Sequence, residues 1–235
     1  KILAMSILLD DEGEPWFPHP SLAPPHGYLA AGGKLTPERL ILAYSNGIFP
    51  WEASGEPRLW RWFSPDPRFL LFPEEFKPNR YLKAALRQDR FEVRVDTNFQ
   101  AVMRACCQVA RPDAMGESWI EEDMIEAYCQ MHELGIAHSF ETYMDGNLVG
   151  GLYGLSIGAA FFGESMFHHE SEASRVALSA LVDYCLTHKF DFIDCQQENS
   201  HVIRLGGRSI PREDFLGKLT KAVGKPRLQG KWSME

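Results

Sequence analysis

The chain has no CxxC pair, no close pairing of metal ligands beyond the adjacent Cys106–Cys107, and no apolar run near the ~18 residues of a membrane span. These gaps speak against a zinc site and a transmembrane protein. Five cysteines, Cys106, Cys107, Cys129, Cys185 and Cys195, are an odd set without paired spacing, which fits reduced thiols in the cytoplasm better than a disulfide scaffold. His168–His169 is a lone pair in an expected loop, read as solvated imidazoles. Positive charge is also scarce: 24 Lys and Arg face 32 Asp and Glu, a net charge of −8 that argues against non-specific nucleic-acid binding. The opening KILAMSILLDD lacks a charged n-region and a small-residue cleavage site, so it is not read as a signal peptide. Internal repeats and low-complexity segments are missing too. What is present, 45% hydrophobic residues in 235, suffices for a sizeable soluble core.

Residues 14–35 are rich in Pro and Gly yet carry Trp16, Phe17, Leu22, Tyr28 and Leu29, as an ordered but irregular wrap would. Thr36-Pro37-Glu38 then combines an N-cap, an N1 proline and an acidic first turn, which predicts a helix running to Gly47. Trp51, Trp60, Trp62 and Phe63 follow in a dense aromatic block. SPDPR, residues 64–68, breaks any element and marks the expected boundary between a small N-terminal α+β domain (1–65) and a larger domain (66–235). Beyond it, RFLLF and FEVRV read as strands around a basic helix, NRYLKAALRQD. Helices are expected near 97–109, 120–134 and 172–188, the last with Ala173, Val176, Ala177, Ala180 and Leu181 on one side. AHSFETYM, NLVGGLYGLSIG and AAFFGESMF form a meander with turns at Asp145-Gly146 and near Gly158, and FDFIDCQ is a buried strand before two short helices. This is an α+β layered class with a mixed, mainly antiparallel sheet flanked by helices, in the element order of the acetyltransferase (GNAT-like) fold.

Three stretches carry candidate chemistry. Between Lys77 and Arg94 six basic residues meet only Asp89 and Glu92, and Arg80, Lys83 and Arg87 share one helix side. A solvated face and a polyanion site both fit that pattern. In FFGESMF, Glu164 lies among large apolar residues, where an unpartnered charge is costly or becomes neutral. In FIDCQ, strand alternation predicts that Asp194 and Gln196 face one spot, opposite to Ile193 and Cys195. Convergence of Glu164, Asp194 and Gln196 beside Phe161, Phe162, Met166 and Phe167 predicts a pocket where two strands splay apart.

PPHGYLAAGGKL, AYSNGIFPW, RWFSPDPR, SWIEEDMIEAYCQMHELGIAHSFE, LVGGLYG, FFGESMF, EASR and DCQ stand in the order seen in leucyl/phenylalanyl-tRNA–protein transferases. The chain resembles that family from residue 16 to 216. The resemblance implies transfer of Leu or Phe, sometimes Met, from aminoacyl-tRNA to the α-amine of proteins starting with Arg or Lys, which marks them for N-end rule degradation. It implies a small N-terminal domain, an acetyltransferase-like catalytic domain, and no need for coenzyme A or metal. By motif position it assigns Asp194, Gln196 and Glu164 to catalysis. It assigns Trp51, Trp119, Leu152, Phe161, Met166, Tyr44 and Tyr128 to the aminoacyl side chain and 3′ adenosine. Leu152 stands where relatives can have Met, and Arg61 departs from a double-Trp form of its block.

On that reading Gln196 accepts a hydrogen bond from the attacking amine, Asp194 orients it and Glu164 holds the cationic N-terminus. The partners expected are Leu-tRNA or Phe-tRNA and a basic-start acceptor, with no membrane, for a cytoplasmic monomer. Two rivals differ in class. An acyl-CoA-dependent N-acetyltransferase needs a Gly-rich phosphate turn where this chain has HHESEAS. A non-catalytic tRNA-binding module needs no polar cluster. A wall-peptide aminoacyltransferase is a third reading, and the ordered motifs separate it. Lys77, Arg80, Lys83 and Arg87 would follow the acceptor stem through phosphates, so transfer should fall steeply with added salt. A rate unchanged from low to moderate salt removes this patch from the interface.

Overall fold

A computed structural model describes residues 7–55, 58–108, 120–226, 228 and 230–234. Two sheets share the described chain. The first has the order β1-β2-β4-β3, from β1 (Ile7–Leu9), β2 (Tyr28–Gly32), β3 (Phe49–Ser54) and β4 (Leu59–Phe63). Helix α1 (Pro37–Ser45) lies between β2 and β3, and Thr36 Oγ1 accepts from the Arg39 amide as the capping motif predicts. The second sheet is built from β5 (Arg68–Leu71), β6 (Glu92–Val95), β7 (Ala137–Met144), β8 (Asn147–Ile157), β9 (Ala160–His168), β10 (Phe192–Asp194) and β11 (Arg208–Ile210). Its order is β11-β5-β10-β9-β8-β7-β6, antiparallel except for β9 with β10. The α+β class and the mixed, mainly antiparallel sheet are as expected, while β11 lies in a stretch where no strand is expected.

Helices cover both faces of the larger sheet. On one side lie α1, α3 (Phe99–Gln108), α4 (Glu122–Glu133) and α7 (Arg212–Val223); on the other, α2 (Arg80–Arg87) and α5 (Ala173–Thr187), with short α6 (Ser200–Ile203) after β10. Each face buries its own core. Phe162, Phe167, Tyr153 and Leu155 join Tyr44 and Tyr128 on the α1–α4 side. Leu152, Phe161 and Ile193 join Leu178 and Leu181 on the α5 side. The expected turn at Asp145-Gly146 closes β7 onto β8 with both residues at positive φ, as a tight hairpin requires.

Strand register shifts at four places in the described sheets, and two of these β-bulges fall on residues expected at the site. Pro50 pairs with Trp62 and Glu52 with Arg61, which leaves Trp51 as the extra residue of β3. Tyr153 pairs with Ser165 and Gly154 with Gly163, which leaves Glu164 as the extra residue of β9. That second bulge reverses the parity of β9, so Phe161 and Met166 share the α5 face although they are five residues apart. Gly154 makes the tight crossing at this point feasible: a Cβ there would lie 2.1 Å from the Phe162 carbonyl oxygen and 2.6 Å from the Phe161 ring. Gly154→Ala should therefore destabilise the fold by about 1–3 kcal/mol, the range of overpacking, as a lowered urea midpoint. An unchanged midpoint would show that the backbone can move here.

Candidate active site

Strands β9 and β10 pair in parallel for three residues, with Phe162 opposite Asp194 at the end. Past that point they separate, and the gap holds the site. Glu164 reaches across from β9. Its Oε1 accepts from the Tyr44 hydroxyl at 2.7 Å and from Gln196 Nε2 at 2.9 Å, and its Oε2 from the Tyr128 hydroxyl at 3.3 Å. The two tyrosine hydroxyls are 2.5 Å apart, and both residues are fully buried. Although the residue keeps some surface, its carboxyl is enclosed, and this desolvation pushes its pKa up to about 8 against the pull of the tyrosine hydrogen bonds. The nearby Asp194 charge raises it further, and Arg68 opposes that. Burial and the Glu164 charge likewise hold both tyrosine pKa values well above the usual phenol range.

Asp194 does not share that spot, so the alternation argument fails here. Strand β10 ends at Asp194, and Gln196 sits beyond it in the left-handed region at φ 58°. Asp194 is fully buried and forms a bidentate pair with Arg68: Nε to Oδ1 at 2.9 Å and Nη2 to Oδ2 at 2.7 Å. Arg68 is fully buried as well, lies against the Phe49 and Phe215 rings, and donates through Nη1 to the Gly47 carbonyl at 3.0 Å. The second job of Asp194 is local. Its Oδ1 accepts from the Gln196 backbone amide at 2.9 Å, which pins the residue that carries the amide side chain. Arg68 escaped the sequence reading because SPDPR reads as a boundary. The usable signal was an arginine opening the apolar strand RFLLF, where it needs a buried counter-charge.

A cavity of about 650 Å³ opens on the α5 side of the gap and reaches Glu164 and Gln196. Leu152 and Met166 line it as expected; Leu178, Leu181, Ile193 and Cys195 join them, none of which the sequence marked as lining. Burial, the largest cause, raises the Cys195 thiol pKa far above its usual range. Phe161 is fully buried and stands outside that lining, in the core on the same side. Trp51 is also outside it, half-buried against Phe63 at 5.1 Å. Trp119 lies outside the described residues. Lys77, Arg80, Lys83 and Arg87 are exposed, and none forms an ion pair with a described residue, whereas Arg94 is bound by Glu92. Arg80 instead lies over the Tyr81 ring at 4.6 Å.

The profile described as leucyl/phenylalanyl-tRNA protein transferase matches residues 70–220, and that of its N-terminal domain matches 33–66. A leucyl/phenylalanyl-tRNA–protein transferase of Desulfatibacillum aliphaticivorans is 49% identical over 93% of this chain and 93% of its own length. That of Nitrosospira multiformis is 50% identical over 92% of each chain. Among solved structures, a GCN5-related N-acetyltransferase from Kribbella flavida aligns over 74% of this chain and 60% of its own, at TM-score 0.34 and 14% identity, a likeness that bears on no activity.

Arg68→Met should cost about 3–5 kcal/mol in urea unfolding, because it leaves Asp194 buried without a counter-charge. The double variant Arg68→Met/Asp194→Leu should recover most of that loss. Equal instability of the single and double variants would refute the pairing. For Glu164 the raised folded pKa fixes the sign of its contribution: fully present below the ordinary value of about 4.3, it is lost as pH rises through about 8. Wild type should therefore lose stability relative to Glu164→Gln between about pH 5 and about 8. A difference independent of pH would mean that Glu164 titrates normally.

Proposed function

Because the chain belongs to the leucyl/phenylalanyl-tRNA–protein transferase family, and so is an aminoacyltransferase, we propose that it moves Leu, Phe or Met from aminoacyl-tRNA to the α-amine of proteins starting with Arg or Lys. The acceptors would thereby enter N-end rule degradation, in the cytoplasm. The observation that supports this most is the joining of Glu164 and Gln196 by a hydrogen bond in a cavity that has an apolar wall. The division into an N-terminal domain (1–65) and a catalytic domain (66–235) belongs to the same proposal. No described helix is long and apolar enough to cross a membrane.

The cavity takes the side chain of the transferred residue, with Leu152, Met166, Leu181 and Ile193 as its apolar lining. An apolar slot separates substrates by about 1–3 kcal/mol per methylene, which suits relaxed choice among Leu, Phe and Met. Trp51, with Trp119, provides ring surface for the terminal adenosine. The acceptor arrives as an ammonium, since a free α-amine titrates near 7.7–8.0. A Glu164 carboxyl at about 8 is matched to it, so once the carboxyl has lost its own proton to solvent on meeting the cation, the carboxylate takes one proton from the ammonium at little cost, and the neutral amine can attack. Gln196 gives its Nε2 to Glu164 and keeps its carbonyl oxygen to accept from the amine. The C–N bond forms at the ester carbonyl, the C–O bond to the tRNA 3′-oxygen breaks, and the departing oxygen takes a proton. An ester is already activated, so positioning supplies most of the rate. Asp194 serves by holding the Gln196 backbone, with Arg68 holding Asp194.

The direct assay mixes labelled Leu-tRNA with a peptide starting with Arg and one starting with Ala. Wild type should prefer the Arg peptide, and Glu164→Gln should lower transfer to it by about 10²–10⁴-fold, the weight of one general base. Equal use of both peptides would overturn the acceptor assignment, and a fully active Glu164→Gln would remove Glu164 from the chemistry.

A further inference from the structure

Trp232 lies outside every motif discussed so far, yet the structure buries it in the layer that contains the cavity. It is 5% exposed and sandwiched between His138 of β7, at 3.6 Å and 8°, and Tyr184 of α5, at 4.4 Å and 20°. The Phe161, Phe190 and Phe140 rings surround it at 6.0, 5.8 and 6.3 Å. The backbone is fastened as well. Trp232 N donates to Asp96 Oδ2 at 2.7 Å, the same oxygen that meets His138 Nδ1 at 2.7 Å. Just before it, Gly230 passes so close to Gly135 that a Cβ on Gly135 would lie 2.7 Å from the Gly230 Cα.

The indole Nε1 finds no partner among the described residues, and neither does His138 Nε2. Two buried polar atoms are left unmatched, a cost that a phenylalanine at position 232 would halve. Shape, not hydrogen bonding, is what the tryptophan supplies. It stands between the sheet and α5, and the cavity lies between the same two layers. Leu178 and Leu181 of α5 form one wall, with Tyr184 one turn after Leu181; Leu152 and Ile193 of the sheet form the other. Phe161 pairs with Ile193 of that wall across β9 and β10 and shares its core with the indole, the two rings 6.0 Å apart.

We propose that Trp232 is a positioning residue that sets the depth of the amino-acid cavity, by propping α5 away from the sheet and keeping Phe161 forward. It thereby weights the choice between branched aliphatic and aromatic aminoacyl groups. The inference rests on the reading that this cavity takes the transferred side chain. Removing the prop vacates space behind Phe161, and a cavity that deepens there favours Phe over Leu.

The test measures kcat/KM for Phe-tRNA and Leu-tRNA with Trp232→Phe, Trp232→Leu and Trp232→Ala, each first shown to be folded by circular dichroism. The Phe-to-Leu ratio should rise with lost volume, from about twofold for Phe to about tenfold for Ala, the scale of a methylene-sized change in such a slot. A merely structural role would lower both rates together, and a flat ratio, or a shift towards Leu, in any folded variant overturns the proposal. Leu181→Ala, in the cavity wall itself, separates the two levels. If it moves the ratio while the Trp232 variants do not, the prop is wrong and the cavity reading stands. If neither moves it, both are wrong.

Discussion

The two acids at the strand gap are held inside this fold in different ways. Asp194 is paired with Arg68 through two parallel hydrogen bonds and has no surface. Glu164 forms no ion pair with a described residue. Two phenols and one amide stabilise it incompletely, so burial favours its neutral form. The environment thus divides the roles. The first acid is a fixed part of the frame, and the second is held ready for a proton or a cation.

Backbone irregularity makes the arrangement attainable. A regular β9 could not direct Glu164 to Tyr44 and Tyr128 on one face while placing Met166 in the cavity on the other. The bulge at Glu164 supplies the change of parity. On β10 the strand ends early and Gln196 adopts a positive φ, so its side chain returns to the gap instead of alternating away. The strained conformation is held by the Asp194 carboxylate through the Gln196 amide. The placement of Gln196 at the gap therefore depends on the buried ion pair, although that pair stands outside the cavity lining.

Local signals in the chain were readable where a local cause decides the structure. Thr36-Pro37-Glu38 starts a helix because capping is a matter of four residues, and Asp145-Gly146 turns because both residues tolerate positive φ. The three site residues Glu164, Asp194 and Gln196 were found as polar exceptions in apolar strands, and the first and last do meet. Their directions were misjudged wherever period-2 alternation broke. Trp51 and Glu164 sit at bulges, and a bulge arises from pairing with a distant strand that no local pattern reveals. Arg68 and Trp232 were missed for a related reason. Each owes its place to partners far along the chain, Asp194 in one case and His138 with Tyr184 in the other.

The ionisation of Glu164 is the point on which the account turns, and it can be observed directly. Glutamate side chains labelled with 13C, compared in wild type and Glu164→Gln by NMR, isolate the one carboxyl resonance. Titrated alone, that carboxyl should show an apparent pKa near 8, and an Arg-starting peptide with a free α-amine should pull it down by binding as a cation. An ordinary pKa near about 4.3, or a raised value that the peptide leaves unmoved, would contradict it.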